Sequence, residues 1–231
     1  MEKFLNILYP KRCPVCHGIL SDRGNLICPS CEGLLHPIVT DYCLKCGNPV
    51  KAEEELCGEC RKSHREFDRG RSVFFYNDKM RQSLLRYKYY GNRDYAEYYA
   101  VSLCHYMERE IRMWKPDLIV PVPMHPRKQR ERGFNQAADL AEKAGRILGV
   151  PMSDQVVQKT KATRSQKKLN AAERKQNLRM AFQATERLDG LRILVIDDVY
   201  TTGSTIEAMA HVLKAAGADK VFFVTLCTGQ I

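Results

Sequence analysis

The stretch RILVIDDVYTTGST, residues 192–205, constrains the fold of this chain more than any other part. It begins with a short apolar run rich in β-branched residues, residues 193–196, which is typical of a strand buried on both faces of a parallel sheet. Two carboxylates, Asp197 and Asp198, follow this run. Apolar residues then recur at helical spacing through residues 206–216. The sequence therefore predicts a strand, a loop and a helix, which is the repeating unit of an α/β sheet.

The loop after the two acids has the chemistry of a phosphate site. Its N–H groups and hydroxyls precede a predicted helix, whose dipole favours an anion, and its glycine permits close approach of the backbone. The carboxylates suit the vicinal hydroxyls of a ribose, so the predicted ligand is a sugar phosphate. A nucleotide P-loop is excluded, because no glycine in the chain is followed by lysine. The alternative is a plain strand and helix joined by a solvated acidic turn. The predicted phosphate-binding residues are Thr201, Thr202, Gly203, Ser204 and Thr205.

Eight of the ten cysteines form four Cys-x2-Cys pairs near the N-terminus. Two such pairs complete one tetrahedral four-cysteine site, so we expect two structural zinc ions. Sequential pairing is the simplest arrangement, and interleaved pairing of the first with the third and the second with the fourth is the alternative. Disulfides are disfavoured in a reduced compartment, and zinc is preferred over iron as the default metal. The predicted ligands are Cys13, Cys16, Cys28, Cys31, Cys43, Cys46, Cys57 and Cys60.

Composition divides the chain into two predicted domains, residues 1–65 and residues 66–231. The first holds nine Lys/Arg against eight Asp/Glu, whereas the second holds 28 against 19. The positive charge thus accompanies the predicted anion site and is compatible with nucleic-acid contact. Residues 61–71 are polar and are expected to form a linker, and residues 1–13 are expected to form a short amphipathic helix. Because the chain has neither an apolar run of membrane length nor a secretory signal pattern, we expect a cytoplasmic protein.

Apolar runs and helical periodicity place further elements along the second domain. Their alternation predicts a right-handed parallel sheet flanked by helices, with ligand loops at the carboxyl ends of the strands. The further strands are expected at residues 72–76, 118–122, 154–160 and 221–226, and the helices at residues 80–90, 95–114 and 134–148.

Two basic segments add to the predicted anion site. Residues 127–132 hold four cations on an expected strand-to-helix connection, which suits a polyanion such as pyrophosphate. Residues 159–179 hold eight Lys/Arg and one acid, and we interpret them as a loop that closes over a phosphorylated ligand. The alternative for each segment is a solvated basic surface.

The motif VIDDVYTTGST resembles the phosphoribosyl-pyrophosphate (PRPP) motif of type I phosphoribosyltransferases. The resemblance implies that Asp197 and Asp198 hold the ribose hydroxyls and that the TTGST loop holds the 5-phosphate. It also implies a type I phosphoribosyltransferase-like sheet, preceded here by the cysteine-rich module, and Mg²⁺ bound together with PRPP.

Over almost its whole length the chain is similar to the ComF family of competence proteins. The cysteine pairs and the segments VPVPMHPRKQRERGFNQ, TRSQKKLNAAERKQN and VIDDVYTTGST occur in the family's order. The resemblance implies a role in handling incoming single-stranded DNA alongside a competence helicase. The contacts that it implies are Arg127 and Arg132 with pyrophosphate, and Arg164, Gln166 and Arg174 in a flexible loop at residues 161–177.

The leading hypothesis is an Mg²⁺-dependent phosphoribosyltransferase that acts in DNA uptake or nucleotide salvage. Its predicted catalytic residues are Asp197, Asp198 and Arg164. The alternative is a non-catalytic adaptor that binds a phosphoribosyl ligand or single-stranded DNA. The absence of a recognisable acceptor pocket in the sequence favours this alternative, and tyrosines within residues 87–90 could stack on bases.

The cysteine spacing predicts the metal content of the purified protein. Two four-thiolate sites should retain about two zinc ions per chain in elemental analysis. Because metal binding supplies most of the folding energy of so small a module, Cys28→Ser should destabilise residues 1–65 more than the sheet domain. One ion per chain, or none, would contradict the two-site prediction.

Overall fold

The computed structural model of the protein describes residues 10–20, 22, 24–160 and 180–229. The predicted flexible loop at residues 161–177, with Arg164, Gln166 and Arg174, lies outside the described residues, as do residues 1–9 of the predicted N-terminal helix. The roles expected of these residues therefore stay predictions.

The strands of the described chain form one parallel sheet and one small antiparallel ribbon. They are β1 (Arg69–Phe75), β2 (Leu118–Pro121), β3 (Val157–Lys159), β4 (Phe182–Ala184), β5 (Arg192–Tyr200) and β6 (Lys220–Thr228). The sheet has the order β1-β6-β5-β2, and each of its neighbouring pairs is parallel. The ribbon consists of β3 and β4. The predicted α/β class with a parallel sheet is confirmed.

Side chains of β5 alternate between the two faces of the sheet, which explains its continuous apolar run. Ile193 and Val195 lie in one hydrophobic cluster, and Leu194 and Ile196 lie in the other. All four are fully buried. Since full burial of such a side chain is worth roughly 1.5–3 kcal/mol, β5 is a main source of the hydrophobic stabilisation of both faces.

Helices cover both faces of the sheet. They are α1 (Gly58–Lys62), α2 (Asp78–Tyr89), α3 (Tyr95–Tyr106), α4 (Glu108–Trp114), α5 (Pro126–Arg132), α6 (Gln136–Leu148) and α7 (Ser204–Ala215). Helices α3 and α6 pack against each other in the cluster that contains Leu194, whereas Ile206 and Met209 of α7 lie in the opposite cluster. Within the described ranges, no helix is both long and apolar enough to cross a membrane.

The helix predicted over residues 95–114 is two helices, α3 and α4, which meet at Met107. Met107 is buried, and Trp114 at the end of α4 stacks on Phe222 of β6 with ring centroids 4.9 Å apart. The prediction of one helix was therefore wrong, because packing of Trp114 against the sheet overrides the continuous helical pattern.

Two further elements differ from the prediction. The strand expected at residues 154–160 is the shorter β3, which pairs with the unpredicted β4 and not with the parallel sheet. The connection expected over residues 127–132 is helical, because Pro126 occupies the first turn of α5 and His125 Nδ1 accepts a hydrogen bond from the N–H of Arg127 at 3.2 Å.

The predicted linker is wrong at its end, because residues 69–71 belong to β1 and Arg71 is buried. The Arg71 guanidinium donates to Glu110 Oε1 at 3.1 Å and to the carbonyl of Ile38 at 3.2 Å. It also lies 3.3 Å from the centroid of the Tyr42 ring, and the Tyr42 hydroxyl donates to Glu110 at 3.3 Å. This cluster fastens the cysteine-rich module to β1 and α4.

The buried Arg71–Glu110 pair gives a stability prediction. Arg71→Met should lower the free energy of unfolding by about 3–5 kcal/mol, because it leaves the Glu110 charge buried without its partner. The double variant Arg71→Met, Glu110→Leu should recover most of this loss, since apolar replacement of both partners is often nearly neutral. Urea unfolding of the three proteins measures both effects. A single variant as stable as the wild type would contradict the assignment of a buried pair.

Candidate functional site

The two acids and the following loop lie at the carboxyl edge of the sheet. β5 pairs with β6 through Asp197, Val199 and Tyr200, so both acids lie within the last part of the strand. Residues 201–204, here termed the β5–α7 loop, then join β5 to α7, and Ser204 is also the first residue of α7. The segment after β2 reaches α5 at the same edge. Parallel pairing thus brings the two predicted anion-binding segments to one side of the sheet.

The β5–α7 loop offers several hydrogen-bond donors. Thr201 and Thr202 are exposed, and Thr202 Oγ1 lies 2.8 Å from Ser204 Oγ. Gly203 is the N-cap of α7 and has no side chain that could cap the first turn. The N–H groups of that turn therefore face an end of the helix where the dipole favours an anion. The arrangement can hold one phosphate group.

Gly203 is required by the fold as well as by the predicted ligand. Its φ is +74°, and a Cβ at this position would lie 2.4 Å from Tyr200 Oη. The prediction from sequence was that glycine permits close approach of a phosphate. Because any side chain would also strain the backbone and collide with Tyr200, a Gly203 variant cannot separate loss of binding from loss of folding.

Asp197 and Asp198 have different surroundings. Asp197 accepts a hydrogen bond from the backbone N–H of Asp198 at 2.9 Å, and Asp198 Oδ2 contacts the ammonium of Lys88 on α2. Burial and the Asp198 charge raise the pKa of Asp197. Burial alone would lower the pKa of Lys88, but the Asp198 carboxylate outweighs it and the pKa is raised. In the ligand-free protein, Asp198 therefore has a counter-ion, whereas Asp197 binds a proton more readily than an ordinary aspartate.

A cleft of about 230 Å³ opens beside the acid pair. Arg127 is not among its lining residues, because its side chain is exposed and pairs with Glu131 at 2.9 Å. Burial and the charge of Lys128 lower the pKa of Lys159, which is consistent with a crowded set of cations. Such a set suits a ligand with several negative charges. The cations that line the cleft are Lys88, Lys128, Arg132 and Lys159.

Arg132 is held at the cleft by two side chains. Its Nη1 donates to Gln136 Oε1 at 2.5 Å, and its Nη2 donates to the Tyr89 hydroxyl at 3.0 Å. Gln136 is 3% exposed, and its amide nitrogen has no hydrogen-bond partner within the described part of the chain. Since a buried donor without a partner costs about 1–3 kcal/mol, an acceptor atom of a ligand in the cleft would relieve this cost.

A second cavity of about 850 Å³ adjoins the cleft. The two share Pro123, Met124, His125, Asn135 and Lys159 as lining residues. Its wall is mixed, with apolar Phe134 and Met152 beside polar Asp154 and Gln155. The sequence showed no acceptor pocket, because the lining residues come from α5, α6, β3 and the segments that connect them, and these meet only in the fold. The cavity is large enough for a small aromatic or heterocyclic molecule.

The eight N-terminal cysteines form two groups in which all sulfur atoms lie within 4.8 Å of one another. We term Cys13, Cys16, Cys28 and Cys31 the first cluster, and Cys43, Cys46, Cys57 and Cys60 the second cluster. The grouping confirms sequential pairing. Neighbouring sulfurs lie 3.6 Å apart in three pairs, close to the roughly 3.8 Å edge of a tetrahedron with Zn–S bonds of about 2.3 Å. The donor sets therefore fit structural zinc.

Residues outside the cysteine pairs do not complete these clusters. His17 Nδ1 lies 2.6 Å from the Tyr95 hydroxyl and serves the contact between the module and α3. Cys104 and Cys227, which lie outside the four pairs, are buried core residues. Four thiolates thus remain the whole ligand set of each cluster among the described residues.

Lys88 and Lys159 were not predicted as site residues. Lys88 lies in a helix whose neighbours Tyr87 and Tyr89 suggest only packing, and Lys159 ends a short strand. No local pattern distinguishes Lys88 from a solvated lysine, and the sequence indicated Lys159 only as the first residue of the basic segment 159–179. Only the three-dimensional structure brings both of them to the acids of β5.

Comparison with known proteins matches both parts of the chain. Residues 4–61 match the double zinc ribbon domain, and residues 105–231 match the phosphoribosyl transferase domain. Competence protein F of Haemophilus influenzae is 28% identical, over 96% of this chain and 96% of its own. DNA utilization protein YhgH of Salmonella typhimurium is 31% identical, over 94% of this chain and 97% of its own. The crystal structure of a purine phosphoribosyltransferase from Pyrococcus horikoshii is 18% identical, with a TM-score of 0.38 over 58% of this chain and 73% of its own.

The raised pKa of Asp197 predicts a pH-dependent stability. The folded protein keeps a proton on this carboxyl that the unfolded chain loses near its ordinary pKa, so stability falls as the pH rises toward the folded value. Asp197→Asn should therefore stabilise the ligand-free protein more at pH 8 than at pH 5, by on the order of 1 kcal/mol or more. Urea unfolding at several pH values measures the difference, with the exposed Asp41→Asn as control. A difference that does not change with pH would contradict the assignment.

Proposed function

Since the chain belongs to the ComF family, with a double zinc ribbon ahead of a phosphoribosyl transferase domain, we propose that it binds PRPP with Mg²⁺ and transfers the phosphoribosyl group. One observation carries the proposal: Asp197, Asp198 and Thr205 line the same cleft as Lys128 and Arg132. Groups suited to a ribose, a 5-phosphate and a pyrophosphate are thereby adjacent at one edge of the sheet.

Each part of PRPP has a matching set of residues. The hydroxyls and N–H groups of the β5–α7 loop would hold the 5-phosphate, and Asp197 and Asp198 would accept hydrogen bonds from the ribose hydroxyls. Lys128 and Arg132 would face the pyrophosphate, with the unpartnered amide of Gln136 as a further donor. Lys128 thus replaces Arg127 in the set predicted from sequence.

Transfer breaks the bond from C1 of the ribose to pyrophosphate, which leaves with the electron pair, and forms a bond from C1 to the acceptor. Positive charge develops on the ribose and negative charge on the leaving group, so the cations of the cleft stabilise the pyrophosphate as it departs. Bound Mg²⁺ would supply further neutralisation of the pyrophosphate charge. Binding of the 5-phosphate at the loop positions C1 of the ribose for the reaction. The adjoining cavity has room for the acceptor.

Binding without turnover is the second candidate, and the Lys88–Asp198 ion pair favours it. A cation at Asp198 opposes the positive charge that transfer develops on the ribose. Tyr89, which contacts Arg132, and Tyr90 are 64% and 74% exposed, which suits stacking with bases of single-stranded DNA. The names of the two relatives refer to competence and DNA utilization, which supports a role connected with DNA. In this second candidate, the protein would be a cytoplasmic adaptor that acts with single-stranded DNA and a competence helicase.

Substitution of the loop hydroxyls tests the phosphoribosyl proposal. The variant Thr202→Val, Ser204→Ala should bind ribose 5-phosphate and PRPP roughly tenfold or more weakly, because a hydrogen bond to a charged group is worth about 1.5–3 kcal/mol. Its affinity for pyrophosphate should change little. Isothermal titration calorimetry measures all three ligands, and Thr40→Val, an exposed threonine in the zinc-binding module, is the matched control.

Unchanged PRPP affinity in the loop variant would contradict the proposal. Turnover is tested separately by pyrophosphate release from PRPP in the presence of a panel of nitrogen bases. Release favours the transferase, whereas tight PRPP binding without release from any base favours the binding module. Competition of PRPP by an oligothymidylate would further favour a site that is shared with DNA.

A further inference from the structure

We propose that the second cysteine cluster positions the β5–α7 loop, so that zinc bound by Cys43, Cys46, Cys57 and Cys60 strengthens phosphate binding at that loop. The physical connection between the second cluster and the loop, here termed the link, depends on packing contacts alone. The identity of the ligand rests on the proposed function. Tyr200 is the positioning residue through which the link acts.

The link begins where the second cluster lies on β1. The N–H of Gly70 donates to the carbonyl of Lys45, which lies between Cys43 and Cys46, at 2.9 Å. Gly47 has φ +73°, and a Cβ there would lie 2.5 Å from the carbonyl oxygen of Gly70. The backbone around the second cluster therefore touches β1 directly, and only glycine permits so close an approach.

Aromatic rings continue the link from β1 to the end of β5. A Cβ at Gly70 would lie 2.0 Å from the ring of Phe223, so this ring fills the space above the glycine. The Phe223 ring stacks on Tyr200 with centroids 4.9 Å apart and an interplanar angle of 11°. Both aromatic residues are buried. Displacement of β1 is thus transmitted to Tyr200 through close-packed groups that leave no void to absorb it.

Tyr200 completes the link to the loop. Its phenol lies against Gly203, where a Cβ would approach Tyr200 Oη to 2.4 Å. A second connection runs beside the first, because Thr228 Oγ1 of β6 donates to Asn48 Oδ1 at 2.7 Å. Thr228 is the register partner of Tyr200, and the N–H of Gly229 donates to the Tyr200 carbonyl at 2.8 Å.

The first cluster lies on a different surface and provides a natural control. Its backbone carbonyls at Pro14 and Val15 accept hydrogen bonds from Ser83 and Arg86 of α2. Helix α2 leads to Lys88 and the acid pair, not to Tyr200. Since metal binding supplies much of the folding energy of such small modules, loss of either metal should loosen only the surface on which that cluster packs.

Hydrogen exchange of the loop tests the inference without any ligand. Cys60→Ser and Cys16→Ser each remove one thiolate, from the second and first cluster respectively. Amide exchange is followed by mass spectrometry on peptides that span residues 200–206, which exclude Asp198 and its contact with Lys88 of α2. We expect exchange in these peptides to rise at least tenfold in Cys60→Ser and to stay unchanged in Cys16→Ser. Equal exchange in the two variants, with one zinc lost from each, would overturn the inference.

Asn48→Ala tests the same link with both metal sites intact, in case the Cys60→Ser protein does not fold. It keeps every cysteine and removes the side-chain hydrogen bond to Thr228 of β6, so it should retain two zinc ions and still raise loop exchange. Wild-type exchange in Asn48→Ala would also count against the link.

Ribose 5-phosphate affinity gives the functional readout. By calorimetry, Cys60→Ser should bind it about tenfold more weakly than the wild type, the equivalent of one charge-assisted hydrogen bond. If loop exchange responds as expected but the wild type does not bind ribose 5-phosphate, the link is upheld and the proposed function fails. If the wild type binds and loop exchange does not respond, the proposed function is upheld and the link fails.

Discussion

The parallel pairing of β5 with β6 is the constraint on which the rest of the structure depends. It extends from Arg192 to Tyr200 and continues past the apolar run, so that Asp197 pairs with Thr225 and Asp198 lies between two paired residues, Asp197 and Val199. The same pairing places Thr228 beside Tyr200, where the contact with the zinc-binding module begins. Hydrophobic burial on both faces makes this ladder hard to open. The acids and the loop are therefore held by the most stable part of the molecule.

Electrostatics at the carboxyl edge make the site complementary to an anion. Lys128 and Lys159 lie close enough for one to lower the pKa of the other, and Arg132 adds a third charge. Such crowding disfavours the empty state, so a polyanion gains both direct contacts and relief of this repulsion. The Lys88–Asp198 pair reduces the negative charge that the ribose would meet. Whether this pair opens on binding separates the two candidate functions.

Local patterns explain why much of the fold could be predicted from the sequence. The β-branched run before Asp197 predicts a buried strand, and the regular spacing of the cysteines predicts metal-binding pairs. Each pattern lies within a short segment of the chain. The break at Met107 and the pairing of β3 with β4 could not be predicted, because distant packing decides them. Only the second part of β1 was predicted, because Arg71 in the sequence resembles a charged linker residue. Its contacts with Glu110 and Tyr42 form only in the folded protein.

The candidate site was predictable only where one segment contains all of its groups. The acids and the loop hydroxyls follow one another along the chain, so their order alone indicated a sugar phosphate. Lys88, Lys159 and the adjoining cavity depend on α2, β3 and α6, which meet at the sheet edge only after folding. The link from Gly47 to Gly203 could likewise not be predicted from the sequence, because the pattern around each glycine accounts for that glycine separately and does not relate the two.

The central claim is that PRPP occupies the carboxyl edge of the sheet with its 5-phosphate on the β5–α7 loop. A crystal structure of the protein with PRPP and Mg²⁺ tests it most directly. We expect the 5-phosphate within hydrogen-bond distance of Thr202, Ser204 and the N–H groups of the first turn of α7, with the ribose hydroxyls at Asp197 and Asp198. A phosphate bound elsewhere, with the loop and the acid pair facing only solvent, would contradict the account.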